Sequence, residues 1–519
     1  MLKNIISKNY NIHSGQDAWR QNLAIATLVA DKIRSSFGPK GAYKMINYNR
    51  GPEQIVKITK DPLVVLEELT IQYPIAAIIN EAAKIQRQEL GDGVISFVII
   101  LSGLLRRAEQ LMSKRVHPTI ILQGFRSATK KSIEIINSEA EPWRGSIKDI
   151  LEVVDCGRGF ATPALCQMIK DASKILTIEG ILKGERLQIL KYPGGSINDT
   201  EFINGIILKK FRASPNMPEM IQKPRIAIIS GKIGINRLEI KMNGEGHFPI
   251  VLNVNKPQIA SDYKTEENKL KYTAVEHITQ KGINFILCGQ PIDDKIKGLL
   301  ADHGILALES VDREELKESS EATGAQIVGS EKYLTEQDIG YAENVEQRQV
   351  HSEKVTAVHG CRGATFLLRG NTPTILDESE KIIRSSMTAI KIFREDARVI
   401  HGGGAIEMHV SRELEDYARD FQGKEQLAIE AFAHALEEIP TSLAENCGLN
   451  PIDLIAELKM HHSNGSYSYG LGVSGCSEEA CLESAKIKIS TVRRAYDVAS
   501  LMLGIDQFIE SKEIPKFHR

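Results

Sequence analysis

The stretch Leu90-Gly91-Asp92-Gly93-Val94-Ile95-Ser96 sets a carboxylate between two glycines where a long apolar run begins. Glycine permits tight turns and close approach of the backbone to a ligand. The run over 94–111 carries Val94, Ile95, Phe97, Val98, Ile99, Ile100, Leu101, Leu104 and Leu105, which predicts a buried helix. The amides and dipole at its N-terminus favour a phosphate, and Asp92 beside them is suited to hold the Mg²⁺ that neutralises it. An ordinary turn explains the same seven residues. Three other stretches have the same double reading. Phe37-Gly38-Pro39-Lys40-Gly41 is a rigid turn carrying one cation, fit for a phosphate or for a plain helix stop. In Thr59-Lys60-Asp61-Pro62, Asp61 reads by default as a helix N-cap with Pro62 at the first helical position. His401-Gly402-Gly403-Gly404-Ala405 lets backbone lie flat against a base or ribose, or serves as a hinge.

These residues need elements to position them. Trp19, Leu23, Ala26, Ala30 and Ile33 predict a helix over 17–36 that Gly38-Pro39 ends. Strand-like runs follow at 44–46 and 55–59. His117-Pro118-Thr119 starts a helix to about residue 138, with His117 as a structural end-piece. After Trp143-Arg144-Gly145 the segments become shorter and more polar, and 194–199 is a turn. From about residue 225 the texture is α/β: strands at 226–229, 283–287, 305–308 and 326–328, helices at 266–280, 293–302 and 313–323. Gly282, Gly304 and Gly324 stop those helices. No G-x-G-x-x-G is present, so no dinucleotide site is read here. The segment 243–262 fits no simple period. It is either a surface loop or a protrusion whose Phe248, Ile250, Val251, Leu252 and Val254 bind something. Texture changes again near Gly360, with a buried strand at 365–370 and a helix at 377–393. Residues 425–510 are mostly helical, broken at 446–453 and 464–475.

The 519 residues suggest about three domains. A hydrophobic content of 42% with 25% charged residues is that of a globular protein, and a net charge of -2 gives no reason to expect nucleic acid. The longest apolar run is too short for a bilayer, and the N-terminus lacks a signal-peptide block. Seven scattered cysteines without a C-x-x-C pair predict free thiols in a reducing cytosol.

Taken together and in order, the motifs resemble those of a group II chaperonin subunit, the family of archaeal thermosomes and the eukaryotic cytosolic chaperonin. The resemblance covers essentially the whole chain. It rests on Gly38-Pro39-Lys40-Gly41, Thr59-Lys60-Asp61, Gly91-Asp92-Gly93, His117-Pro118-Thr119, Ser196-Ile197-Asn198-Asp199-Thr200-Glu201, Leu367-Leu368-Arg369-Gly370, Gly402-Gly403-Gly404-Ala405 and the run from Leu443-Ala444-Glu445-Asn446 to Asp453. It implies a multidomain α+β and α/β fold. A mostly helical equatorial ATP-binding domain would span 1–144 and 402–519. A small α/β intermediate hinge domain would span 145–214 and 357–401. The α/β apical domain would span 215–356, with a lid protrusion at about 243–262 that offers Phe248, Ile250 and Val251 to clients. The implied assembly is a cytoplasmic double ring of homologous subunits enclosing non-native proteins, driven by ATP and Mg²⁺, without nucleic acid or membrane.

Matched residue by residue, Gly38, Pro39, Lys40 and Gly41 stand in the first phosphate loop. Gly91 and Gly93 flank the Mg²⁺ ligand Asp92, and Asp61 is one of two acidic residues that position the attacking water. Gly403 and Gly404 meet the nucleoside, and Glu483 is an acidic ribose contact. The chain also departs from the pattern. Arg384-Ser385-Ser386-Met387-Thr388-Ala389 sets Thr388 where the family has its second hydrolytic aspartate, and threonine cannot accept the water's proton at neutral pH. Loss of a positioned base typically costs about 10²–10⁴-fold in rate. Val94 and Ile95 replace two family threonines, leaving Ser96 as the nearby hydroxyl, and Pro62 replaces a glycine and its N–H. The family's phosphate-sensing lysine has no match around 156–161, where Arg158 is the nearest cation. The connection 393–402 is about three residues shorter than the family's, which leaves open a shifted register that brings Glu395 or Asp396 inward. The resulting expectation is a subunit that binds ATP·Mg²⁺ and hydrolyses it weakly; the alternative is a structural or scaffolding relative without nucleotide control.

Overall fold

The computed structural model describes residues 10–14, 16–50, 53–68, 73–143, 145, 163–178, 181–182, 186–234, 239–241, 247–249, 257–350, 353–472, 475–477, 481–505 and 507–511. The chain divides into two compact units, Met1–Ala161 with Lys381–Arg519, and Thr162–Glu380.

The first unit is organised around helix Val94–Ser113, in which Phe97, Ile99, Leu101 and Leu104 are wholly shielded from solvent. A helix apolar on every side has to be surrounded. Helices Gln16–Arg34, Lys424–Leu436 and Ala485–Leu503 pack on it. Each large aliphatic side chain so buried contributes about 1.5–3 kcal/mol. Helix Pro118–Glu139 adds Phe125, edge-on to Phe432 with ring centroids 5.7 Å apart. His117 caps this helix, its Nδ1 accepting the Thr119 amide at 3.3 Å. The two strand-like runs extend into a hairpin, Lys44–Arg50 against Glu53–Thr59, in the register Lys44↔Thr59. A strand absent from the sequence reading, Gln507–Ser511, pairs antiparallel with Tyr10–Ser14. Its partner lies almost the whole chain away, so no local pattern announces it.

In the second unit the parallel strands run in the order Leu306–Leu308, Phe285–Cys288, Arg225–Ile229, Ile327–Val328, with Gly340–Tyr341 antiparallel to Arg225–Ile229. Near-continuous apolar runs mark the first three as strands buried on both faces, while Ile327 at the edge is 41% exposed. Helices Asp294–Asp302 and Arg313–Thr323 agree closely with their periodicity, and Gly282, Gly304 and Gly324 take φ of +64°, +68° and +79° at the stops. A four-stranded antiparallel sheet orders Met220–Gln222, Asn344–Val350, Glu353–His359 and Gly205–Leu208. Strand Gly205–Leu208 joins two cores, Ile206 facing the first and Ile207 a smaller one with Tyr192, Ile203 and Leu367. The strand Ala364–Gly370 pairs parallel with Leu187–Pro193 and antiparallel with Glu201–Ile203. The turn before the latter is a capping box, Ser196 N donating to Asp199 Oδ2 at 2.7 Å.

Helix Pro257–Gln280 begins nine residues before the start that its periodicity indicates. Proline suits a first helical turn, and apolar residues are sparse there, so the spacing signal begins late. The segment 243–262 is therefore part helix. Phe248 lies in the short strand His247–Pro249, opposite Ile240 of Glu239–Lys241. Ile250 and Val251 lie outside the described residues, as does Arg158. No disulfide joins the described cysteines. No described helix is long and apolar enough to cross a membrane.

Candidate functional site

The glycine turns of the first unit are linked by a chain of contacts. Gly91 ends helix Pro74–Leu90 at φ +68°, and Gly93 opens helix Val94–Ser113 at φ +83°. Two side chains hold the turn between them from behind. Gln86, fully buried, donates from Nε2 to the Asp92 carbonyl at 3.1 Å, and its own Oε1 accepts from Arg494 Nε at 2.9 Å. Arg87 donates to the Gly91 carbonyl at 2.6 Å and to Ser385 Oγ at 3.1 Å. With both carbonyls tied back, the exposed Asp92 carboxylate accepts the Gly93 amide at 2.7 Å beside a helix N-terminus that no side chain caps. That donor set, a carboxylate next to amides at a helix start, fits a metal-bound phosphate. Ser96, in the first turn of that helix, is 7% exposed.

The helix expected over 377–393 runs from Pro373 to Glu395 and places Thr388 against Gly91. A Cβ on Gly91 would come within 2.8 Å of the Thr388 side chain. The Thr388 hydroxyl, however, donates to the Arg384 carbonyl of its own helix at 2.9 Å. One turn earlier, Ser385 faces the turn through Arg87. A further turn back, Lys381 Nζ lies 3.0 Å from Thr59 Oγ1 and 3.8 Å from Asp61 Oδ2. Asp61 is also the N-cap of helix Pro62–Glu68, accepting the Leu63 amide at 3.0 Å. Glu395 and Asp396 are both in ion pairs, Glu395 with Lys486 at 2.7 Å and Asp396 with Arg398. The Arg398 guanidinium, opposed in part by burial, holds the Asp396 carboxyl below the usual carboxylate range.

The remaining turns extend this chain of contacts. Gly403 and Gly404 take φ of +65° and +82° before helix Ala405–Ala418. The Gly403 amide donates to Glu483 Oε1 at 3.2 Å, and its carbonyl accepts the Leu471 amide at 2.8 Å. Glu483 Oε2 lies 2.9 Å from Lys488 Nζ, which meets Glu407 Oε1 at 2.5 Å. Burial alone would lower the Lys488 pKa, but the two carboxylates raise it above the ordinary lysine range. Lys488 sits in the first turn of helix Ala485–Leu503, whose Ile487 and Thr491 lie against Gly93. Gly404 packs on Pro440 and Gly38 on Leu443, both from helix Glu438–Cys447. Asn446 of that helix donates to the carbonyls of Arg34 and Phe37, each at 2.8 Å, and so holds the Gly38 turn. Lys40 extends over its end, 3.5 Å from the Cys447 carbonyl.

Gly38, Asp61, Gly91, Asp92, Thr388, Gly403, Gly404 and Glu483 thus belong to one connected set. Phe248 lies in the other unit. Gln86, Arg87, Lys381, Ser385, Glu407 and Lys488 were missed by the sequence reading. One signal was available: Lys381, Ser385 and Thr388 stand at i, i+4 and i+7, a polar stripe on an otherwise amphipathic helix.

Comparison with known proteins agrees with this architecture. The TCP-1/cpn60 chaperonin family matches residues 29–513. A thermosome subunit of Methanopyrus kandleri is 33% identical over 530 aligned positions, covering 99% of this chain and 95% of the relative. The thermosome subunit alpha of Archaeoglobus fulgidus is 33% identical over 97% of this chain and 93% of its own length. A thermosome subunit of Pyrococcus horikoshii is also 33% identical, over 99% and 94%. With the family match, the near-full coverage and the helical unit assembled from both ends of the sequence, the chain belongs to the TCP-1/cpn60 chaperonin family, as a group II chaperonin subunit.

Proposed function

We propose that this chain is a subunit of a cytoplasmic double-ring, ATP-dependent chaperonin that encloses non-native proteins with homologous subunits. Its equatorial domain would be 1–144 with 402–519, its intermediate domain 145–214 with 357–401, and its apical domain 215–356. The observation that carries the nucleotide reading is a set of linked contacts: Asp61 meets Lys381, whose helix sets Thr388 against Gly91; Gly93 lies on helix Ala485–Leu503, whose Lys488 meets Glu483, the acceptor of the Gly403 amide; and Gly404 and Gly38 both pack on helix Glu438–Cys447. Asp92 would hold Mg²⁺, which neutralises phosphate oxygens, while the amides after Gly93 and the Gly38 turn face the phosphates and Gly403 with Gly404 face the nucleoside. Weak hydrolysis is supported by the Thr388 hydroxyl, committed to its own helix, and by the Lys381 ammonium beside Asp61. The same two contacts favour the second reading, a scaffold subunit without nucleotide control.

ATP·Mg²⁺ binding by the purified chain separates the two. The expected result is saturable binding that Asp92→Ala weakens at least tenfold, about 1.4 kcal/mol. Absence of binding by the parent supports the scaffold.

Ring assembly has its own support. Among the described residues the hairpin Lys44–Arg50/Glu53–Thr59 and the pair Tyr10–Ser14/Gln507–Ser511 are isolated two-stranded sheets with open edges. The hairpin exposes Met45, Val56 and Ile58, at 71%, 48% and 37%. A lone two-stranded sheet is marginal in water, and an open apolar edge invites a strand from a neighbour. Val56→Lys with Ile58→Lys is expected to shift the chain from rings toward smaller species in analytical ultracentrifugation while its helical circular dichroism is kept. Rings of unchanged size would remove the hairpin from the assembly interface.

A further inference from the structure

We infer that Lys381 is the cation by which this subunit distinguishes a nucleoside triphosphate from a diphosphate. The inference rests on the nucleotide reading above and adds to it a residue and a selectivity. Lys381, Ser385 and Thr388 share one face of helix Pro373–Glu395. At about 1.5 Å of rise per residue, this stripe runs about 10 Å from Thr388 to Lys381. Its two ends are fixed by contacts. Thr388 abuts Gly91, next to the Asp92 carboxylate, and Lys381 stands at Asp61. A chain of phosphates that starts at the Gly-Asp-Gly turn and points along the stripe therefore brings its far end, and only its far end, toward Lys381.

The ammonium is placed to change partners. It lies closer to the neutral Thr59 hydroxyl, 3.0 Å, than to the Asp61 carboxylate, 3.8 Å, and the Lys381 side chain keeps 23% exposure. Two other cations near the turn are held by protein partners. Arg87 bridges the Gly91 carbonyl and Ser385, and Lys488 is buried between Glu407 and Glu483. Electrostatics favours a cation at this point. Asp61 is 11% exposed, and bringing a terminal phosphate toward a carboxylate with no positive charge between them is repulsive. Lysine meets phosphate as a compact, mobile point charge, so it can turn from Asp61 to a terminal phosphate oxygen without rearrangement of the helix.

The test compares the affinities of ATP and ADP, each with Mg²⁺, for the full chain and for Lys381→Met and Lys381→Arg. Methionine keeps most of the apolar stem and removes the charge. The expected result is that Lys381→Met weakens ATP about tenfold or more, the size of a charge-assisted hydrogen bond, and ADP less than twofold, while Lys381→Arg restores most of the preference. A structural role alone would weaken both nucleotides together. An unchanged ATP-to-ADP ratio in Lys381→Met, with both nucleotides still bound, overturns the inference and leaves the nucleotide reading standing. If the parent chain binds neither nucleotide, both fall.

Discussion

Replacing Lys488 by methionine is expected to remove about 3–5 kcal/mol of stability. Lys488 and Glu407 are 4% and 3% exposed, and the ammonium holds Glu407 at 2.5 Å and Glu483 at 2.9 Å. Without it, Glu407 is a buried carboxylate with no counter-charge, and its Oε2 already has no hydrogen-bond partner in the protein. Glu483 is about one-third exposed and can turn to water. The loss therefore comes mainly from Glu407. Urea unfolding of Lys488→Met measures it, against a total that for most domains is about 5–15 kcal/mol. The double variant Lys488→Met/Glu407→Met is expected to recover most of the loss, since a buried ion pair replaced by apolar residues is often neutral. If the single variant loses less than about 1 kcal/mol, the triad is not what holds the Gly403 turn. A stable single variant with weakened nucleotide binding would instead limit its role to Glu483.

The second large effect is a loss of stability on mild acidification, carried by His409 and His462. His462 Nε2 donates to the Tyr469 carbonyl at 2.9 Å, and the Nδ1 atoms of both rings are buried with no partner in the protein. Tyr467 lies against His409 with ring centroids 4.2 Å apart and the planes tilted by 40°. Burial pushes both imidazoles below the ordinary histidine range. Glu413 opposes the shift at His409 and Arg412 adds to it; at His462 the Tyr469 carbonyl opposes it, and His409, Arg412 and His461 add to it. The Glu139 carboxylate also faces the pair, 3.8 Å from His409 Nε2.

The sign follows from proton counting. Above about pH 6.5 both rings are neutral whether the chain is folded or not, and stability does not depend on them. Below it the unfolded chain takes up protons that the folded chain refuses. Stability then falls by up to about 1.4 kcal/mol per pH unit for each ring, until the folded pKa values are reached. Thermal unfolding between pH 7.5 and 5 is expected to show this slope, and His409→Gln with His462→Gln is expected to flatten it. A parent profile already flat in that window would contradict the burial of the pair. Glu437 does not interfere. Burial raises its carboxyl, but His434 and Lys459 outweigh this and hold it at about 2, so its contribution is lost only as pH falls below the ordinary carboxylate value near 4.5.

The pair also bears on the site. The 464–471 segment that His462 anchors through Tyr469 ends at Leu471, whose amide bonds the Gly403 carbonyl. Acid-induced loosening should therefore reach the Gly403 turn early in unfolding.

Local features of the chain were legible without coordinates because they depend on neighbours in sequence. The all-apolar helix at Val94, the Asp61 cap with Pro62 behind it, the glycine stops at Gly282, Gly304 and Gly324, and the positive-φ turns at Gly91, Gly93, Gly403 and Gly404 follow from side-chain period and backbone sterics. The family was legible too, because many short motifs in fixed order are improbable together. Only the tertiary structure decided which groups meet. Lys381 reaching Asp61, Arg87 joining Gly91 to Ser385, Lys488 shared by Glu407 and Glu483, and strand Gln507–Ser511 finding Tyr10–Ser14 are all contacts between segments far apart in sequence. Even Thr388, correctly placed on a helix by its periodicity, revealed only in three dimensions that its hydroxyl is spent on its own backbone. Period and propensity report one element's environment. The partner of a charge or an open strand edge is set by how elements pack.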